Sequence, residues 1–156
     1  MKKPAVCLAW CLWCAPLFAA NPTDEELLQN IPPFQCTLTA FYGTVATYLP
    51  PKSGDAVRVD FHQLMQQGGK LDFTSGNYIP LAEPLKLVKL TRGPDLQHLN
   101  TVRFRSGNWE TKGQTFDLNF NNAGGPKENA HDPSISILSE SGQVDGWIIL
   151  RCKPDK

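Results

Sequence analysis

Two cysteines constrain this chain more than any other feature. Cys36 and Cys152 are the only ones outside the N-terminal leader. Each lies in a strand-like run. In Phe34-Gln35-Cys36-Thr37-Leu38-Thr39-Ala40, the residues Phe34, Cys36, Leu38 and Ala40 share a phase of two. In Gly146-Trp147-Ile148-Ile149-Leu150-Arg151-Cys152, the residues Gly146, Ile148, Leu150 and Cys152 do the same. A period of two marks a half-buried strand, so both sulfurs belong to core faces. They are expected to pair and to close nearly the whole mature chain into one loop. A bridge across so long a loop contributes about 4–5 kcal/mol in the chain-entropy model.

Such a bridge needs an oxidising compartment, and the first twenty residues point to one. Met1-Lys2-Lys3 is basic. Residues 4–18 are apolar and include Leu8, Trp10, Leu12 and Trp13, and Ala19-Ala20 supplies small residues for cleavage. This is the layout of a secretory signal peptide. The expected organisation is a signal peptide at 1–20 and a single β domain at 21–156, periplasmic or secreted. Cys7, Cys11 and Cys14 leave with the leader. The apolar run is shorter than the roughly 20 residues a membrane span needs, and no later stretch is apolar enough to serve. Without Lys2 and Lys3, 13 of the 15 basic residues remain against 15 acidic ones. That near-neutral balance argues against nucleic acid as the partner.

Residues 21–31 are the one helix candidate. Thr23 and Glu26 form a capping box, Leu27, Leu28 and Ile31 an apolar stripe, and Pro32-Pro33 a stop. The rest reads as strands. Residues 44–49 are a possible partner for the Cys36 run. In residues 56–62, Val57, Val59 and Phe61 face one way and Arg58, Asp60 and His62 the other. Val102 and Phe104 alternate with Arg103 and Arg105, and Phe116, Leu118 and Phe120 alternate with Asp117, Asn119 and Asn121. The alternation of residues 85–91 slips near Val88, as a bulge or a strand changing sheets would make it. The expected fold is all-β and antiparallel, a β-sandwich or a small closed β-barrel, with a short N-terminal helix.

Turn chemistry refines this picture. Ser75-Gly76-Asn77-Tyr78 and Ser106-Gly107-Asn108-Trp109 repeat one pattern, and Gly-Asn is a two-residue hairpin signal. That register sets Ser75 opposite Tyr78 and Ser106 opposite Trp109, with both aromatics on the core side. It also sets Arg105 opposite Glu110 and Arg103 opposite Lys112. In the last hairpin, a two-residue loop at Gly142-Gln143 puts Glu140 opposite Asp145. A four-residue loop at 139–142 puts Ile137 opposite Val144, and it is preferred because facing like charges cost stability. Residues 121–133 are polar and glycine-bearing, and are expected to be the most protease-sensitive part of the domain.

The chain offers little chemistry. His62, His98 and His131 show no metal-ligand spacing, and no nucleophile elbow or phosphate loop occurs. Neither a metal nor a cofactor is expected. Asp60 and His62 share a strand face and are the nearest thing to an acid–base pair, which reads better as two solvated residues. Asp117, Asn119 and Asn121 resemble oxygen ligands, but a calcium loop needs a tight turn. Arg58, Lys86, Arg103 and Arg105 can share a face and meet an acidic partner. The favoured reading is an exported, non-enzymatic binding or accessory protein with another protein or an envelope component as partner. The candidate binding residues are Tyr78, Trp109, Ser75, Lys112, Arg103 and Arg105. The alternative class is a small hydrolase with an unrecognised site.

Phe34-Gln35-Cys36, Ser75-Gly76-Asn77-Tyr78, Trp109-Glu110-Thr111-Lys112-Gly113 and Cys152 stand in this order in the chain. The succession resembles small exported inhibitors of C-type lysozyme, which carry an aromatic-x-Cys strand, an S-G-x-x-Y loop, a W-x-x-K-G segment and a late cysteine. The loop and the Tyr78-to-Trp109 spacing depart from that pattern. The resemblance implies that Ser75 and Lys112 enter the lysozyme cleft.

Overall fold

The first and last strands are neighbours. In the computed structural model, which describes residues 20–42, 52–107, 113–120, 133–140 and 145–155, β1 (Phe34–Tyr42) runs antiparallel to β9 (Asp145–Pro154), and Cys36 faces Cys152 directly. The two form the expected disulfide across 116 residues of sequence. Both cysteines are buried, because each sits in phase with the apolar residues of its strand. The expected partner strand at 44–49 lies outside the described residues.

Between these ends run β2 (Ala56–Val59), α2 (Phe61–Gln67), β3 (Lys70–Asp72), β4 (Tyr78–Pro80), β5 (Lys86–Arg92), β6 (Leu99–Arg105), β7 (Gln114–Asn119) and β8 (Ser134–Glu140). Seven strands form one antiparallel sheet in the order β2-β1-β9-β8-β7-β6-β5, and β3 and β4 form a separate ribbon. The sheet is open, with β2 and β5 as its edges, so the closed-barrel alternative is overturned. The reason is local. β2 stops after four residues where the chain turns into α2, and Phe73 beside the ribbon takes the bridge to Val57 that a further strand would need.

α2 corrects the expected strand at 56–62. Val57, Val59 and Phe61 continue a period of two, which hides the change. Asp60 accepts a hydrogen bond from the Gln63 N–H at 3.2 Å and caps the helix, and Gly68 ends it at a φ of 66°. Phe61 and Leu64 are then buried on one helix face. Phe61 stacks on Phe104 with ring centroids 4.7 Å apart and meets Phe34 edge-on at 6.4 Å. The helix thus fills the core face of the sheet, where Leu38, Val102, Phe116, Leu118, Ile135, Ile137, Ile148 and Leu150 are also buried. Leu71, Phe73 and Ile79 join them from the ribbon and its turn.

The N-terminal helix forms as expected. α1 (Asp24–Gln29) carries the Thr23–Glu26 capping box, in which the Glu26 N–H donates to Thr23 Oγ1 at 3.1 Å. In return the Thr23 N–H donates to Glu26 Oε2 at 2.6 Å, and this bond, with a smaller share from the Thr23 side chain, holds the Glu26 carboxyl below its usual range. Ile31 is buried and Leu28 packs beside it, which docks this short helix. Arg92 of β5 grips the same segment, bonding Asp24 and the Pro22 carbonyl. The slip near Val88 is a register shift between Leu87 and Lys89.

The last hairpin takes the other register. Ile137 faces Ile148, Ile135 faces Leu150, and Glu140 faces Asp145. The preferred loop would have set Ile135 opposite Gly146. Pairing two isoleucines with large aliphatic partners in the core outweighs a like-charge crossing near the hairpin end.

Candidate functional site

Alternation along the strands sends a second set of side chains to the outer face of the large sheet, and in β1 a bulge between Leu38 and Ala40 turns Ala40, expected in the core phase, and Tyr42 to that face. One row crosses six strands, running Tyr42, Trp147, Leu138, Thr115, Arg105 and Lys86, each opposite the next. Three of these are large and apolar, yet Tyr42 is 60% exposed, Trp147 39% and Leu138 41%. Tyr42 and Trp147 stack with centroids 5.3 Å apart and planes inclined by 22°. The neighbouring row runs Ala40, Ile149, Ser136, Asp117, Arg103 and Lys89. Val88, Arg103, Arg105, Thr115 and Leu138 line a shallow groove between the rows.

The cations of this face have assigned company. Arg103 forms a forked pair with Asp117, Nε to Oδ1 at 2.6 Å and an Nη to Oδ2 at 2.8 Å. Asp117 raises the Arg103 pKa, holding the guanidinium charged. Arg105 donates to Thr115 Oγ1 at 3.3 Å. The expected crossings of Arg105 with Glu110 and of Arg103 with Lys112 are therefore replaced by Thr115 and Asp117. The β6–β7 connection is longer than a two-residue turn, since the Ser106 N–H bonds the Gln114 carbonyl. Trp109 and Lys112 lie outside the described residues. Arg58 does not join this face's cluster. It stands on β2 at the opposite edge of the sheet, bound to Asp155 at 2.9 Å and Asp60 at 3.3 Å.

Tyr78 and Ser75 also move from their expected places. The β3–β4 register pairs Tyr78 with Asp72 and Leu71 with Ile79. The loop is residues 74–76, with the Gly76 N–H on the Phe73 carbonyl and Gly76 at a φ of 88°. Only glycine takes that conformation at no steric cost. The extra loop residue reverses the phase, so Ile79 enters the core while Tyr78 is half-buried with Lys70 Nζ 4.9 Å above its ring. Ser75 is exposed and donates its hydroxyl to Asp55 Oδ2 at 2.6 Å. That bond, helped by the Lys52 N–H, lowers the Asp55 pKa. Tyr78, Ser75 and the arginine pair thus stand on separate elements, β4, its preceding loop and β6.

His62 and His98 show structural ties, and His131 lies outside the described residues. His62 bonds the Ile31 carbonyl at 3.1 Å from α2, and Asp60 is turned to its cap, so the two do not share a strand face. His98 meets Asp95 at 2.8 Å in the exposed β5–β6 connection, a contact that lowers the Asp95 pKa. Among the described residues, no three metal-binding side chains cluster.

The sequence reading missed Tyr42, Trp147 and Leu138. A signal existed for two of them. Trp147 and Leu138 fall in the wet phase of strands whose other phase is Ile135, Ile137, Ile148 and Leu150. A large aromatic out of the core phase is the informative kind of exposure.

No protein-family model, no curated protein and no solved structure matches this chain. The fold and the outer face define it by class, as a disulfide-closed antiparallel β domain with an aromatic and cationic sheet face.

Proposed function

We propose that this is an exported, non-enzymatic binding domain that takes another protein or an envelope component on the outer face of its sheet. Residues 1–20 are its signal peptide, and the large sheet with the layer of α2 and the ribbon makes a sandwich-like support. The Cys36–Cys152 bridge fits an oxidising compartment. One observation carries the binding reading, namely the stacked and exposed Tyr42–Trp147 pair beside Leu138. Rigid aromatics on a firm sheet are efficient anchors, since few rotors are frozen on binding.

The test compares wild-type protein with Tyr42→Ala and Trp147→Ala. Each is melted, then used to quantify capture from an envelope extract. The expected result is near-unchanged melting with loss of most capture, a hot-spot effect of about 2 kcal/mol or more. Lowered melting with retained capture would make the pair a structural feature and remove the proposal. The mass of the exported protein is expected to begin at Asn21.

A further inference from the structure

Lys86 faces Arg105 and Lys89 faces Arg103 across β5 and β6. Like charges directly opposite one another destabilise a sheet, commonly by a few tenths of a kcal/mol. Edge protection explains half of this arrangement. β5 is an edge strand, and lysines on an edge discourage stray pairing. It does not explain β6, whose two sides are both occupied and whose outer positions carry Arg103 and Arg105. Asp117 serves Arg103, Glu83 lies 3.5 Å from Lys86, and among the described residues no carboxylate pairs with Lys89. The chain as a whole has as many acidic residues as basic ones. The concentration of positive charge on this stretch is thus a local choice.

The same transverse row crosses β7 and ends in Leu138, Trp147 and Tyr42 on β8, β9 and β1. Charge at one end and apolar surface at the other define a ligand with both. We infer that the outer face takes an acidic segment of a protein, carboxylates over the β5–β6 cations and an apolar residue against Leu138 and Trp147. This rests on the binding function proposed above and names its chemistry. Six strands spaced about 4.8 Å apart span about 24 Å, the reach of about seven or eight extended residues. A purely anionic polymer gains nothing from the apolar half of the row, which favours polypeptide.

The probe is a fluorescent octapeptide of four glutamates followed by Gly-Leu-Trp-Leu, followed by anisotropy with wild type, Lys89→Glu and Trp147→Ala. A version with lysines for glutamates, a heparin fragment and phosphatidylglycerol vesicles are the other arms. The acidic peptide is expected to bind and to weaken with salt. Lys89→Glu should weaken it about tenfold or more, equal to about 1.4 kcal/mol. The same variant should melt higher than wild type, because it replaces a like-charge crossing opposite Arg103 by an opposite-charge one. A purely structural lysine would not couple gained stability to lost binding. Absence of peptide binding, equal binding by the lysine peptide, or unchanged affinity in Lys89→Glu would overturn the inference. Binding of heparin or vesicles without the peptide would overturn it too. Failure here is separable from failure of the binding function. If natural capture is lost in Trp147→Ala and kept in Lys89→Glu, the face binds and only its acidic ligand is wrong. If capture survives both changes, the two readings fall together.

Discussion

Asp55 shows how one hydroxyl sets a local charge. Its carboxylate accepts from Ser75 Oγ at 2.6 Å and from the Lys52 N–H at 2.8 Å. Both bonds favour the charged form and hold the pKa below its ordinary value, the Ser75 bond most of all. The folded-state pKa is depressed, so the tie contributes stability above the unfolded value, near 3.9. That contribution is lost as pH falls through the folded value. The 74–76 turn should therefore loosen in acid, below about pH 4. In Ser75→Ala the Asp55 carboxyl should titrate closer to its ordinary value, as read by NMR on that side chain. An unmoved titration would show that the Lys52 N–H suffices. The lysozyme-cleft role that the sequence resemblance implies for Ser75 has to compete with this internal bond.

At the scale of the element, α2 carries more of the core than its seven residues indicate. Its Phe61 touches both Phe34 and Phe104, and Leu64 accepts the backbone bond from Leu85. The helix is too short to stand without packing and capping. Asp60→Ala removes the side-chain acceptor of the Gln63 N–H, and should cost about 1 kcal/mol by chemical denaturation. Asp60→Asn should keep most of that, since asparagine caps as well. Equal loss in both variants would move the importance of Asp60 from the cap to its pair with Arg58. β-strand registers obey the same rule of packing over local charge. The last hairpin accepts Glu140 opposite Asp145 in order to place Ile135 and Ile137 against Leu150 and Ile148.

For the whole molecule, the topology makes the disulfide a clasp. β1 and β9 are adjacent near one side of the sheet, and the five strands β5 to β9 follow one another as a meander. The Cys36–Cys152 bond joins the beginning of that closed path to its end. Replacing both cysteines by serine should lower stability by about 4–5 kcal/mol in the chain-entropy model. The measurement is equilibrium unfolding with and without the bridge, alongside thiol counting in the exported protein. Two reactive thiols in the folded, exported wild type would refute the pairing.

The sequence alone determined what depends on a strict local period. The phase of two in β1, β6, β7, β8 and β9 identified Phe34, Cys36, Leu38, Val102, Phe104, Phe116, Leu118, Ile135, Ile137, Ile148, Leu150 and Cys152 as core residues, because side chains of a strand can only alternate. The capping box of α1 was legible from its own short spacing, and the slip near Val88 from the break in alternation. Tertiary structure decided where local signals competed or were silent. Phe61 satisfies both a strand phase and a helix face, and only packing on Phe34 and Phe104 selects the helix. One additional loop residue at 74–76 moved Tyr78 out of the core phase, since a slip by one exchanges the two faces. The candidate site was legible only in the off-phase Trp147 and Leu138, and its assembly was hidden by distance in sequence. Tyr42 and Trp147 meet because the closing of β1 on β9 brings them opposite, and no local pattern in either strand contains the other.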